Sequence, residues 1–239
     1  MEDITILIPT FNRRKFLPLL IRNIECQDYD HNKIKIIIDD DGAEKLIQSK
    51  QELDEIKEHL HPIEITYITD RKWRSIGQKR NELVKLAKTK VVTFLDDDDL
   101  YMPTYLSHNY QILKNNKAGC VGSNAMIFAM SDRNFDLYAL QCGDNKTLIH
   151  EATLLFTKKW FNSSQKFANS SQGEGVNIFQ GNTKNVILTD IRQLMICIQH
   201  ADNTVDKLPF ATEETKLDIK LEGDLIEIIK NILENKMLS

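Results

Sequence analysis

Five residues suited to a buried strand, Val91-Val92-Thr93-Phe94-Leu95, run directly into four consecutive aspartates, Asp96 to Asp99. Few folds can hold such a junction. A rigid apolar element must end in a dense patch of negative charge, and isolated ionised carboxylates are too costly to desolvate. Either the acids splay into water as a turn that caps the helix starting near Pro103, or a cation holds them together. A hard divalent ion that prefers oxygen ligands suits the second case.

The surrounding pattern narrows the fold. Ile4 to Pro9 reads as a first strand, broken by Pro9-Thr10-Phe11-Asn12. Ile34 to Ile38 is a second, ending in Asp39-Asp40-Asp41-Gly42, Ile63 to Thr69 a third, and Val91 to Leu95 the fourth. The first is a nearly continuous apolar run, as in a strand buried on both faces. Between them, apolar residues recur at helical spacing: Phe16, Leu17, Leu20, Ile21 and Ile24; then Leu46, Leu53, Ile56 and Leu60; then Ile76, Leu83, Val84 and Ala87. This alternation predicts βαβ units, a mostly parallel sheet and helices on both faces. Ligands of such sheets bind outside the carboxyl ends of the strands, where Thr10 and both acidic runs fall. A helix is expected from Pro103 to about Asn116. Short strands are expected at 119–130, 135–140, 152–156, 186–189 and 194–199, and a C-terminal helix from Gly223 carries Leu225, Ile228, Ile229, Ile232 and Leu233.

Composition removes several classes. The 239 residues are 41% hydrophobic and 28% charged, enough for one large domain with an appended segment. The net charge of −4 leaves no footprint for nucleic acid, and the basic runs Arg13-Arg14-Lys15 and Arg71-Lys72-Trp73-Arg74 are short. No apolar run reaches the roughly 18–20 residues of a transmembrane helix. Met1-Glu2-Asp3 leads straight into a strand without the pattern of a signal peptide. Cys26, Cys120, Cys142 and Cys197 lack CxxC spacing and read as free thiols in a reducing compartment, so a cytoplasmic location is expected. The oligomeric state stays open.

Several constellations could carry chemistry. In Asp39-Asp40-Asp41-Gly42, one acid serves to N-cap a helix beginning near Ala43, which leaves two to accept from a nucleobase or ribose. The cations of Arg71 to Arg80, just before and within a helix, suit phosphate, although a solvated basic face would look the same. Glu174, in Ser171-Gln172-Gly173-Glu174-Gly175, reads by itself as a surface acid in a Gly-rich loop, and His200, after a strand, as an ordinary loop histidine.

Taken together, Ile8-Pro9-Thr10-Phe11-Asn12, Asp40-Asp41-Gly42, Ile76-Gly77…Arg80-Asn81 and Phe94-Leu95-Asp96-Asp97-Asp98-Asp99 resemble, in order and spacing, the motifs of family 2-type glycosyltransferases with the GT-A fold. Ala43 stands where that family commonly has Ser, and the last motif is similar to its DxD signature. The resemblance implies an α/β, Rossmann-like mixed and mostly parallel sheet flanked by helices. It implies one domain over about 1–210, with a nucleotide-binding half to about 103 and an acceptor half from 104, followed by a helical extension over 211–239. The implied donor is a UDP- or GDP-sugar, the acceptor a glycan or other hydroxyl compound, and the cofactor Mn²⁺ or Mg²⁺. Thr10, Asp40, Asp41, Arg71, Gly77, Arg80, Asp96 and Asp97 would bind the nucleotide sugar. Asp98 would ligate the metal with His200, although the four-acid run permits a slip by one. Glu174 falls where the family carries its catalytic carboxylate, usually an acid pair, of which Gly175 replaces the second member. Transfer would invert the anomeric configuration. A nucleotidyltransferase or a non-catalytic nucleotide-sugar-binding module are the alternatives; no Gly-rich phosphate loop supports a P-loop enzyme.

Overall fold

A computed structural model describes residues 1–69, 72–201, 203 and 208–234. It is a mixed α/β structure, in line with the expected class. The strands and helices of the first half follow in order: β1 (Ile4–Thr10), α1 (Leu17–Glu25), β2 (Ile34–Asp40), α2 (Lys50–His59), β3 (Glu64–Ile68), α3 (Ile76–Leu86) and β4 (Val91–Phe94). The two-residue β5 (Leu100–Tyr101), α4 (Tyr105–Asn115), β6 (Cys120–Gly122), β7 (Met126–Met130), β8 (Asp136–Leu140), β9 (Leu155–Thr157) and α5 (Lys158–Ser163) come next. The chain continues with β10 (Val186–Leu188), β11 (Met195–Gln199) and α6 (Gly223–Leu233).

Seven strands form the main sheet in the order β10-β6-β9-β4-β1-β2-β3. The strands β4, β1, β2 and β3 are parallel to one another, and β9 is wedged antiparallel between β4 and β6. Successive side chains of a strand point to opposite faces, and here both faces are covered. Ile4, Ile6 and Ile8 of β1 join Leu17, Leu20 and Ile24 of α1 and Leu106 and Leu113 of α4. Leu7 of β1, with Val92 and Phe94 of β4, joins Leu83 and Val84 of α3 and Phe156, Trp160 and Phe161. That is why the first strand reads as a nearly continuous apolar run. A smaller sheet, β5-β11-β7-β8, lies beyond the end of β4. Ala211, Leu221, Ile229 and Ile232 are buried in the same core as α1, so the segment 211–233 shares the packing of the rest. Among the described residues no helix is long and apolar enough to cross a membrane.

Two expectations are revised. The second helix begins at Lys50, behind an N-cap at Ser49, and not near Ala43. The Leu46 amide donates to Asp40 Oδ2 (2.7 Å) and the Ile47 amide to the Tyr67 hydroxyl (3.2 Å). Amides spent on those partners hold Leu46 and Ile47 in a buried loop. The start of α3 is also not open to an anion. Ser75 and Gln78 form a capping box, while the Ile76 amide donates to Ser171 Oγ (3.2 Å) and the Gly77 amide to Ser170 O (3.0 Å). The amides that would otherwise be orphaned are consumed by the protein.

Candidate active site

A cleft of about 450 Å³ opens at the carboxyl ends of β1 and β4. Thr10, Arg13, Arg74, Lys79, Arg80, Asp96, Asp97, Asp98, Asp99, His150, Glu151 and Glu174 line it, with Phe11 and Trp73 among the apolar walls. Trp73 is 65% exposed and Phe11 42%, so two aromatic faces stand at its mouth.

The four acids after β4 have different partners. Asp96 receives Arg80 Nη2 at 3.0 Å and its amide donates to the Tyr101 hydroxyl oxygen (2.9 Å). Asp97 is buried, with Arg13 Nε 3.9 Å from Oδ1 and no hydrogen-bond partner for Oδ2 among the described residues. Burial, and then the neighbouring Asp98 charge, push its carboxyl well above the ordinary carboxylate range. Asp98 Oδ2 lies 3.3 Å from Arg13 Nη2 and 3.3 Å from His200 Nε2. Asp99 accepts the Ile198 amide at 2.9 Å and so ties β11, and His200 beyond it, to the end of β4. The loop itself is pinned by buried Asn23, which donates to Asp99 O (2.7 Å) and accepts from the Tyr101 amide (3.0 Å).

The acids after β2 are turned inward. Arg74 grips Asp39 with both terminal nitrogens (2.8 and 2.9 Å) and also reaches Glu82 (2.6 Å). Asp41 Oδ2 accepts the Arg74 amide (2.8 Å), and Asp41 Oδ1 pairs with buried Lys79. Asp40 accepts from the amides of Gly42 (3.0 Å) and Leu46 (2.7 Å) and from the Tyr67 hydroxyl (2.6 Å). Lys79 in turn donates to Thr10 O (2.7 Å), so this network braces the end of β1 from behind.

A third group gathers around Arg80. Besides Asp96, its Nε lies 3.3 Å from Glu174 Oε1, and its guanidinium stacks 4.6 Å from the centre of the Phe94 ring. Burial opposes the guanidinium charge, but Asp96, Glu174 and Glu151 outweigh it and raise the pKa. Glu174 is 6% exposed. Burial raises its carboxyl, with Arg80 pulling the other way. Glu151 sits in the turn over Glu151–Thr153, and burial raises its carboxyl as well, against Arg80 and the amide of Gly175. That turn is held to the end of β4 by Tyr101 and Tyr105, whose hydroxyls lie 3.2 and 3.1 Å from Ala152 O.

Of the residues singled out from the sequence, Thr10, Arg80, Asp96, Asp97, Asp98 and Glu174 therefore line one cleft. Asp40, Asp41, Gly77 and His200 stand behind its lining. Gly77 is needed for packing, since a Cβ there would collide with the Ala168 carbonyl oxygen and lie 3.1 Å from Glu174 Cβ. Arg71 lies outside the described residues. Arg13, Arg74, Lys79 and Glu151 escaped sequence reasoning. The first three were visible only as members of short basic runs, and Glu151 lay in a segment with no periodicity.

The donor set suits a divalent cation at the margin of the cleft. Asp98 Oδ2 and His200 Nε2 converge, a carboxylate oxygen and an imidazole nitrogen that Mn²⁺ accepts together. Among the described residues no three His, Cys, Asp or Glu side chains form a complete cage, so an ion there would draw further oxygens from a ligand or water.

The sequence model for glycosyl transferase family 2 matches residues 5–176. The GalNAc(5)-diNAcBac-PP-undecaprenol beta-1,3-glucosyltransferase of Campylobacter jejuni is 31% identical over 113 residues, 45% of this chain and 33% of that protein. Glycosyltransferase GlyG of Streptococcus pneumoniae is 26% identical over 137 residues, 57% of this chain and 44% of that one. The matches thus span less than half the length of these curated relatives. Among solved structures, S. aureus TarS 1–349 in complex with UDP superposes with a TM-score of 0.62 at 12% identity, covering 82% of this chain and 60% of that one. The mannosyltransferase PcManGT from Pyrobaculum calidifontis, in complex with GDP-Man and Mn²⁺, gives 0.61 at 15% identity, over 82% of this chain and 56% of that one. At such identities the likeness is one of fold.

Proposed function

The chain belongs to glycosyl transferase family 2, and we propose that it moves a sugar from a nucleoside diphosphate donor to a hydroxyl acceptor by a single, inverting displacement. The observation that carries this reading is the four-acid edge of β4 opening into a cleft that Arg80, Glu151 and Glu174 also line. Relatives of the same fold hold UDP or GDP-Man with Mn²⁺, which supports a nucleotide sugar as the ligand class.

In this reading Thr10 and the aromatic faces of Phe11 and Trp73 meet the nucleoside. Asp40 and Asp41 act from behind, by holding the loop and Lys79 that shape the end of β1. Arg80 holds Asp96 in place toward the donor's ribose or sugar hydroxyls, where a carboxylate can accept hydrogen bonds. Asp98 and His200 would hold Mn²⁺ or Mg²⁺. When bound, the metal neutralises charge that builds on the departing diphosphate. Arg13, beside Asp97 and Asp98, adds a fixed positive charge to the same edge. A buried carboxylate beside Arg80 takes the acceptor proton, since burial raises its basicity.

A thermal-shift series tests the reading. UDP, GDP, UDP-glucose, UDP-GlcNAc and GDP-mannose are each added with and without Mn²⁺ or Mg²⁺, and release of UDP or GDP is then followed. One nucleotide class is expected to stabilise the protein in the presence of metal, with nucleotide release from its sugar. Binding without release for every donor, offered simple glycosides or water as acceptors, would favour a non-catalytic binding module instead.

A further inference from the structure

We propose that Glu151, and not Glu174, removes the proton from the acceptor hydroxyl, and that Glu174 is a positioning residue that holds Arg80. The assignment rests on the reading of the cleft as a sugar-transfer site. It starts from Gly175. A Cβ built on that residue would overlap the Glu151 carboxylate, with Cγ 2.5 Å and Cδ 2.6 Å away. The carboxylate of Glu151 therefore occupies the volume in which a side chain on residue 175 would begin. Glycine at 175 admits it, and the Gly175 amide favours its charged form. Residue 175 is not among the positive-φ positions, so nothing in its backbone conformation calls for glycine. The close approach of Glu151 does.

The two glutamates beside Arg80 differ in what they are free to do. Glu174 Oε1 is committed to Arg80 Nε at 3.3 Å, in the same guanidinium that holds Asp96 at 3.0 Å. A proton placed on Glu174 would cost that pair and loosen Asp96. Glu151 makes no direct ion pair among the described residues and feels Arg80 only at longer range. It lines the cleft and is the less buried residue of the two as a whole, although its carboxyl is the more desolvated. Its turn is rigid, held through Ala152 O by Tyr101 and Tyr105, and through the Thr153 hydroxyl, which donates to His150 O (2.7 Å). A base must be within hydrogen-bond reach of its proton and fixed there, and Glu151 has both access and support.

The step balances without a co-reactant. The acceptor O–H bond breaks and its proton goes to a Glu151 oxygen. The hydroxyl oxygen's electron pair forms the bond to the anomeric carbon. The bond from that carbon to the diphosphate oxygen breaks, and its pair leaves with the nucleoside diphosphate. Glu151 returns the proton to solvent after product departs.

The test uses Glu151→Gln, Glu174→Gln, Glu151→Ala, Gly175→Asp and the double variant Glu151→Ala/Gly175→Asp in the full chain. Each is assayed for nucleotide release from the donor that the thermal-shift series selects, and for its thermal shift with UDP or GDP plus Mn²⁺. Glu151→Gln is expected to keep the nucleotide-induced shift and lose roughly 100-fold or more in kcat. Glu174→Gln is expected to retain measurable kcat with a raised KM, because Asp96 loses its anchor. Gly175→Asp alone is expected to lower Tm by overlap with Glu151. In the double variant, the new carboxylate starts where the old one ended, and kcat is expected to recover at least tenfold over Glu151→Ala. The assignment is overturned if Glu151→Gln turns over within threefold of the parent while Glu174→Gln loses 100-fold. If the parent itself shows no nucleotide-dependent shift with any donor, the sugar-transfer reading fails first and this assignment falls with it.

Discussion

Two runs of aspartate end two strands that flank β1, and they have opposite fates. Asp39 to Asp41, after β2, are matched by the protein: a bidentate arginine, a buried lysine, three backbone amides and a tyrosine hydroxyl satisfy them. Asp96 to Asp99, after β4, line the cleft. Arg80 serves Asp96 and the Ile198 amide serves Asp99, but Asp97 and Asp98 meet Arg13 at 3.9 and 3.3 Å and repel each other. Like composition at like positions thus yields an enclosed brace in one case and the lining of a cleft in the other. What separates them is whether the strand end is covered by the protein or opens onto the cleft.

The contrast can be broken by removing one acid from each run. Asp98→Ala is expected to have the largest effect, abolishing the metal-dependent part of nucleotide binding while Tm without ligand changes little. Calorimetry with UDP or GDP, with and without Mn²⁺, measures it, and undiminished metal-dependent affinity would remove Asp98 from the metal site. Asp39→Ala is expected to cost roughly 1.5–3 kcal/mol, because it removes the bidentate partner of Arg74 and leaves the guanidinium to Glu82 and Asp41. For a chain of this size that lowers Tm by about 5–10 °C, and a scan showing no change would make the pairing at β2 incidental. Asp40→Asn should cost about 1–3 kcal/mol, since an amide cannot accept from Leu46, Gly42 and Tyr67 together; urea unfolding reads it.

The smallest effect has the opposite sign. Asp97 is held above its ordinary pKa in the folded state, so the folded protein binds its proton more tightly than the unfolded chain does. Ionising Asp97 therefore costs stability as pH rises through its folded-state pKa. In chelator at neutral pH, Asp97→Asn is expected to raise Tm by roughly 2–4 °C, the response to about 1 kcal/mol in a chain this long. The gain should vanish as pH is lowered until the parent's Asp97 is protonated. A loss of stability at neutral pH would show that Arg13 already compensates the charge.

The half of the fold from β1 to β4 was legible because the central strands β1 and β4 are buried along their length and each helix is buried on one face, so periodicity separates them. Legibility failed where side chains compete with backbone. Asp40 and Tyr67 claim the amides of Leu46 and Ile47, and a helix that looked continuous from Leu46 starts only at Lys50. The start of α3 looked ready for phosphate, yet Ser170 and Ser171 reach it from far along the chain. Within the cleft, Arg80, Asp96, Asp97, Asp98 and Glu174 could be named from local motifs. Glu151 could not, because its place is defined by an absent side chain on a residue distant in sequence. Arg13 showed only as part of a basic run for a similar reason: its contacts exist only once the turn after β1 faces the turn after β4.

The antiparallel wedge of β9 between β4 and β6 also bears on how the chain is made. Ribosomal synthesis delivers β1 to β4 first, and those four can pair among themselves. The outer edge of β4, Val91 to Phe94, then waits until residues 155–157 emerge to cover it. Until that moment an apolar strand presents unpaired amides and carbonyls, the template on which nascent chains join edge to edge. Truncations that stop short of β9 should accordingly collect in inclusion bodies, while the same strands remain soluble in the whole chain.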